Sequence, residues 1–171
     1  MTARNEGLGR RVVAVEANAE LVAAGRQGFA AELATGRFSL VHAALVGWPQ
    51  RQEQAELLFY PHPERSEWGS VDLRWVQRNA QAHGLPHGEP VRVPTLCLEE
   101  LVARHGCPGF LKIDIEGADE AVLADLGRLA VRPAYLECAP PALRPNGSHW
   151  SFEPGCSGPL PGWVDSQAQL L

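Results

Sequence analysis

Lysine is almost missing from this sequence. Of the 15 basic residues in the 171-residue chain, 14 are arginines and only Lys112 is a lysine. Isoleucine is as scarce, with Ile113 and Ile115 the only two. Elsewhere the chain uses Arg as its cation and Val or Leu as its aliphatic, a background that a GC-rich coding bias explains. All three rare residues fall in Phe110-Leu-Lys-Ile-Asp-Ile-Glu-Gly117. On composition alone chance placement is the simpler account; the other is that this segment resisted the bias.

Further absences narrow the class. There is no basic excess: the net charge is −5, which argues against a nucleic-acid or anionic-membrane binder. No segment reaches the ~18 apolar residues that span a bilayer. The best candidate, Leu40 to Trp48, is about half that length and contains His42. Arg10 and Arg11 precede Val12-Val-Ala-Val15, but Glu16 closes that run before it could serve as a signal peptide. Cys97, Cys107, Cys138 and Cys156 form no CxxC pair, so a structural zinc site has little support. Without a secretion signal, reduced thiols in the cytoplasm are expected. No internal repeat is present.

What remains is ordinary globular material, 45% hydrophobic and 20% charged, of a size that suits one domain with one core. With 17 glycines and 14 prolines, long irregular connections are expected. Arg11–Glu16, Phe38–Leu45, Ala55–Tyr60, Val91–Val93, Phe110–Ile115 and Ala134–Cys138 read as strands. Glu20–Ala34, Val71–His83, Leu96–His105 (with Thr95 as N-cap) and Ala118–Leu129 read as helices. Strands and helices alternate, so the class is α/β with a mostly parallel sheet. Residues 1–138 form the core. Residues 139–171, rich in Pro and Gly, form a tail that Trp150, Phe152 and Trp163 are expected to pin.

Ligands in such sheets bind beyond the carboxyl ends of the strands, where Glu16, Asp114 with Glu116, and Glu137 stand. Glu16 could accept two ribose hydroxyls, or could simply be an acid near a helix N-terminus. A period of two puts Lys112, Asp114 and Glu116 on one face. Three ionisable groups there are costly unless they pair or face a cleft. The plain alternative is an ion pair from Lys112 to Asp114 or Glu116. Glu67-Trp68-Gly69-Ser70 is a loop whose Trp68 would either touch a substrate or pin its own loop. His42 reads as a satisfied core histidine. His83 and His87 lie four apart, but Gly84 and Pro86 deny them a helix.

Phe110-Leu-Lys-Ile-Asp-Ile-Glu-Gly-Ala-Asp-Glu-Ala-Val-Leu123 resembles the strand-to-helix motif of the FkbM family of S-adenosylmethionine-dependent methyltransferases. Val13-Ala-Val-Glu-Ala-Asn18, Val41-His-Ala-Ala-Leu45 and Val93-Pro-Thr-Leu96 are similar to further stretches of that family. The likeness runs over roughly residues 11 to 138. It implies a Rossmann-like class I methyltransferase fold, with S-adenosylmethionine held by Glu16, Asn18, Ala43 and Asp114. Lys112, Asp114 and Glu116 would act on an acceptor hydroxyl of a sugar or secondary metabolite. Nucleic acid and membrane are not expected partners; a second copy of the chain is a candidate one.

The family's opening segment, a first strand and glycine loop, has no counterpart before Arg10, where Gly7-Leu-Gly9 stands alone. That strand is central in the fold, and its loss would expose two interior edges. The fold is therefore expected to be incomplete at the N-terminus, through truncation, or with another element or subunit filling the gap. Cofactor binding by this chain is then expected to be weak or absent. The alternatives are a non-catalytic remnant that needs a partner and, less favoured, a metal-dependent glycosyltransferase using Asp114 and Glu116. A nicotinamide dehydrogenase is disfavoured because no GxGxxG precedes Glu16.

Overall fold

The computed structural model describes residues 10–129 and 133–138; the tail, its three aromatics and Gly7–Gly9 lie outside them. The apolar run before Glu16 forms β1 (Val12–Glu16). Asn18 then caps α1 (Ala19–Gly28), its side chain accepting from the Glu20 N–H at 2.9 Å. The single helix expected over Glu20–Ala34 is two, because the chain breaks at Phe29 before α2 (Ala30–Ala34). The Phe29 ring turns in to meet Phe38, with centroids 4.9 Å apart. Gly25 is mid-helix for a packing reason: a Cβ there would lie 2.9 Å from Leu40 Cδ2. The helix gives up propensity for close approach to β2 (Phe38–His42).

The strand expected over Phe38–Leu45 is also interrupted. Ala43 turns its N–H to the Glu16 carbonyl at 3.0 Å, and Ala44–Leu45 continue as β3 in a different sheet. Next come α3 (Trp48–Glu53) and β4 (Glu56–Phe59). A 3-10 turn (Ser66–Trp68) leads into α4 (Leu73–His83), then β5 (Val91–Leu96) and α5 (Leu98–His105). β6 (Phe110–Ile113), α6 (Asp119–Leu129) and β7 (Tyr135–Cys138) complete the described chain.

The class is α/β, but the described strands form three small sheets, β1-β2, β3-β5-β4 and β6-β7. Pairings β1/β2, β3/β5 and β6/β7 are parallel, while β4/β5 is antiparallel. Among the described residues the buried apolar side chains form two clusters. Leu98, Ile113, Val122, Leu123 and Leu126 pack around β6 and its flanking helices. Ala44, Val46, Leu57, Phe59 and Val93 pack around β5.

Thr95 does not cap a helix. It lies in β5, where its hydroxyl donates to the Gln54 carbonyl and its N–H to Ala55 O. The cap of α5 is Cys97, whose N–H donates to Glu100 Oε2 at 3.1 Å. Glu100 also accepts Arg51 Nε and Nη2 at 2.9 and 3.0 Å, a two-point pair from α3. These bonds hold the Glu100 carboxyl at about 2 rather than its ordinary 4.5, the Arg51 hydrogen bonds being the main cause.

Residues 60–88 leave the sheet as an excursion closed at its base. Gly88 N–H donates to Pro61 O at 2.8 Å, and the His62 and His87 rings meet edge to face, 5.1 Å between centroids. Within it Trp68 packs on His83 (4.5 Å), His62 (5.3 Å) and the Arg65 guanidinium (5.1 Å). Trp68 therefore pins its own loop. His62 Nδ1 accepts the Glu64 and Arg65 N–H groups, whereas both His87 ring nitrogens are buried without a hydrogen-bond partner. Burial, reinforced by His62, pulls the His87 pKa below its ordinary value.

Glu100 is depressed in the fold, so its stabilisation is full above the unfolded value of 4.5 and fades as pH falls towards about 2. Glu100→Ala should lower unfolding free energy by about 1–2 kcal/mol at neutral pH, and urea titrations should show the deficit shrinking in acid. His87 is also depressed, but as a base. Its stabilisation is whole above the unfolded pKa near ~6.5 and declines below it as the unfolded chain takes up the proton. The melting temperature should fall less in His87→Phe than in the unsubstituted protein between about pH 7.5 and about pH 5.5; parallel falls would remove His87 as the cause.

Candidate functional site

One candidate group lies at the end of β1. Glu16 Oε1 accepts the Asn18 N–H at 2.7 Å, which folds the chain back on the carboxylate. Glu16 is half-buried, while Asn18 and Ala43 are buried. His42 Nε2 meets the Ala17 carbonyl at 3.1 Å, so this histidine is satisfied locally. The structure thus brings Glu16, Asn18 and Ala43 together where two parallel strands end. Asn18 and Ala43 shape the turn through a cap and a backbone bond. The partly exposed group is the Glu16 carboxylate, at the positive end of α1. A carboxylate so placed, with one oxygen steadied by an amide, fits a vicinal diol such as a ribose edge.

A second candidate group lies at the end of β6, in a separate sheet. Lys112 Nζ and Asp114 Oδ2 are 3.8 Å apart, with side chains 52% and 45% exposed. A pair so open adds little stability; it leaves a carboxylate beside a cation at a strand end. Ile113, on the opposite face, is 1% exposed. The alternation stops there. Glu116 has φ 51°, in the left-handed region, and Gly117 follows with φ 101°. Glu116 is therefore in a turn and is not the third residue of a strand face. At Gly117 a Cβ would lie 3.0 Å from the Trp75 ring as well as being strained.

Asp119 organises this turn. Its carboxylate accepts the Ile115 and Gly117 N–H groups, each at 3.2 Å, and the side chain is buried. From the opposite side the Ser70 hydroxyl donates to the Glu116 carbonyl at 2.6 Å. Asp119 lies in the first turn of α6, and nothing in its segment points to Ser70. The Gly-Ala-Asp spacing, an acid two residues after a turn glycine, is the signal that could have found Asp119. Ser70 had none, since its partner is 46 residues away.

Among the described residues no cluster of three or more His, Cys, Asp or Glu is arranged to hold a metal, and no helix is long and apolar enough to cross a membrane. A depression lined by Trp48, Arg51, Glu99 and Glu100 contains none of the strand-end residues. Its charges are engaged in the Arg51–Glu100 and Arg128–Glu99 pairs.

Removing Asp119 would leave two turn amides without their acceptor. Asp119→Ala should cost about 1–3 kcal/mol, read as a lowered urea midpoint, and Asp119→Asn should recover part of it. A variant as stable as the unsubstituted chain would show that the turn holds itself.

No curated protein and no solved structure matches the chain significantly. The model of the methyltransferase FkbM domain matches residues 1–149. With most of its length matched, its half-buried Glu16 at one strand end and its Asp114-Ile-Glu-Gly117 turn at another, this chain belongs to the FkbM methyltransferase domain family.

Proposed function

We propose that this methyltransferase-family chain is dependent on S-adenosylmethionine and methylates a hydroxyl of a small acceptor such as a sugar or secondary metabolite. The observation that carries the cofactor reading is the Glu16 carboxylate, half-buried at the end of a parallel strand with one oxygen fixed by the Asn18 amide. Glu16 would hold the ribose hydroxyls, and the buried Ala43 would border the adenosine. The Rossmann-like reading draws on the three parallel pairings and on helices following β1, β5 and β6.

The cofactor supplies, when bound, a methyl group activated by a sulfonium. The protein's part is then to bind, orient and handle a proton. Asp114, exposed beside Lys112, would take the proton from an acceptor hydroxyl, or Glu116 would do so from the following turn. Lys112 would steady a developing alkoxide. Orientation of the two reactants supplies most of the rate in such a displacement.

The single fixed Glu16 carboxylate supports weak binding, with Kd for S-adenosylhomocysteine of about 0.1–1 mM. In titration calorimetry on the full chain, Glu16→Ala should abolish that binding while keeping the melting temperature within a few degrees. Equal binding by both proteins, or none by the unsubstituted chain at millimolar ligand, would overturn the assignment.

A further inference from the structure

Ser70 stands between the excursion over residues 60–88 and the turn after β6. Its residue is 2% exposed. Its backbone bonds Tyr60 in both directions, at 2.9 and 3.2 Å. Its Oγ accepts the Asp72 N–H at 3.0 Å, and Asp72 caps α4 by accepting from Arg74 N–H. The hydroxyl proton goes to the Glu116 carbonyl at 2.6 Å. The end of β4 and the start of α4 thus fix the donor that holds Glu116.

Glu116 needs holding. A left-handed φ of 51° is unfavourable for a residue with a side chain. Asp119 ties the amides on either side of it, a bond any helix start could make locally. The carbonyl tie comes from 46 residues away. A chain that needed only to reverse could use glycine at this position, as it does at Gly117. A strained acid held by a remote buried hydroxyl has a use if the direction of its carboxylate matters.

We propose that Ser70 is a positioning residue: by holding the Glu116 carbonyl it sets the direction in which the Asp114 and Glu116 carboxylates leave the end of β6. What those carboxylates do rests on the methyltransferase reading above; their orientation by Ser70 does not. The test is carbon-detected NMR on the labelled full chain and its Ser70→Ala and Ser70→Thr variants. In Ser70→Ala the carboxyl carbon signals of Asp114 and Glu116 should move, and the Gly117 amide should exchange about tenfold faster. The Asp125 carboxyl, in the middle of α6, should stay where it was. Ser70→Thr, which restores a hydroxyl, should return both signals towards their original positions. Unmoved Asp114 and Glu116 signals in Ser70→Ala, or signals that move together with Asp125, would overturn the proposal. Should Ser70→Ala fail to fold, Ser70→Cys keeps the volume with a poorer donor and takes the same measurement. Calorimetry with S-adenosylhomocysteine on the same samples separates the two claims. Absence of binding by the unsubstituted chain counts against the methyltransferase reading, while the carboxyl signals decide on Ser70.

Discussion

Between the last residue of β6 and the first of α6 the chain has five residues in which to pass from strand to helix. It does so through two successive positive-φ residues, one of which is a glutamate. That geometry is held by partly buried hydrogen bonds, two accepted by Asp119 and one donated by Ser70. Inside a protein such bonds gain strength from low polarity, and the same low polarity makes their loss costly. Each of the turn's neighbours is fixed by it. Trp75 lies against Gly117, where no side chain would fit. Asp114 is left at the solvent edge beside Lys112. Ile113, immediately before the turn, is anchored in the apolar cluster with Val122 and Leu123 of α6.

A second set of polar contacts joins α3, α5 and α6. Asp125, 3% exposed, accepts the Trp48 N–H at 2.8 Å and so supplies α3 with the cap its own sequence lacks. Arg128 lies over the Trp48 ring at 4.5 Å and pairs with Glu99 and Asp125. Glu100 ties Arg51 to the start of α5. Helices α3, α5 and α6 are thereby linked by side chains that also satisfy helix ends, an arrangement more valuable than a surface ion pair of equal charge.

How much of this could be read beforehand depended on whether the cause was local. β1, α4 and α6 were legible because apolar spacing, capping residues and a stop signal lie within the segment itself. α3 was not. It has six residues, opens on Trp48-Pro49, and takes its cap from Asp125. Thr95 was misread as a cap because its type suits one, yet the chain at Gln54 offered the hydroxyl a nearer acceptor. The same distinction divides the site. Glu16 and the Lys112–Asp114 pair were visible as charges at the ends of apolar runs. The departure of Glu116 from the strand face was not visible, because a period of two runs unbroken through a turn that Asp119 and the distant Ser70 hold.

The scarcity of lysine and isoleucine now has a physical side. Ile113 is 1% exposed and central to one apolar cluster, with Ile115 packed against it; a β-branched side chain suits the crowded end of a buried strand. Lys112 pairs with Asp114 at 3.8 Å, as a single charge on a flexible stem. An arginine there would present a wide, rigid fork that favours two-point capture of the carboxylate. Asp114 would then be less available to a third group. The residue that departs from the chain's own habit is thus the one whose replacement would most change what the neighbouring acid can do. That favours resistance to the coding bias over chance as the account of this segment.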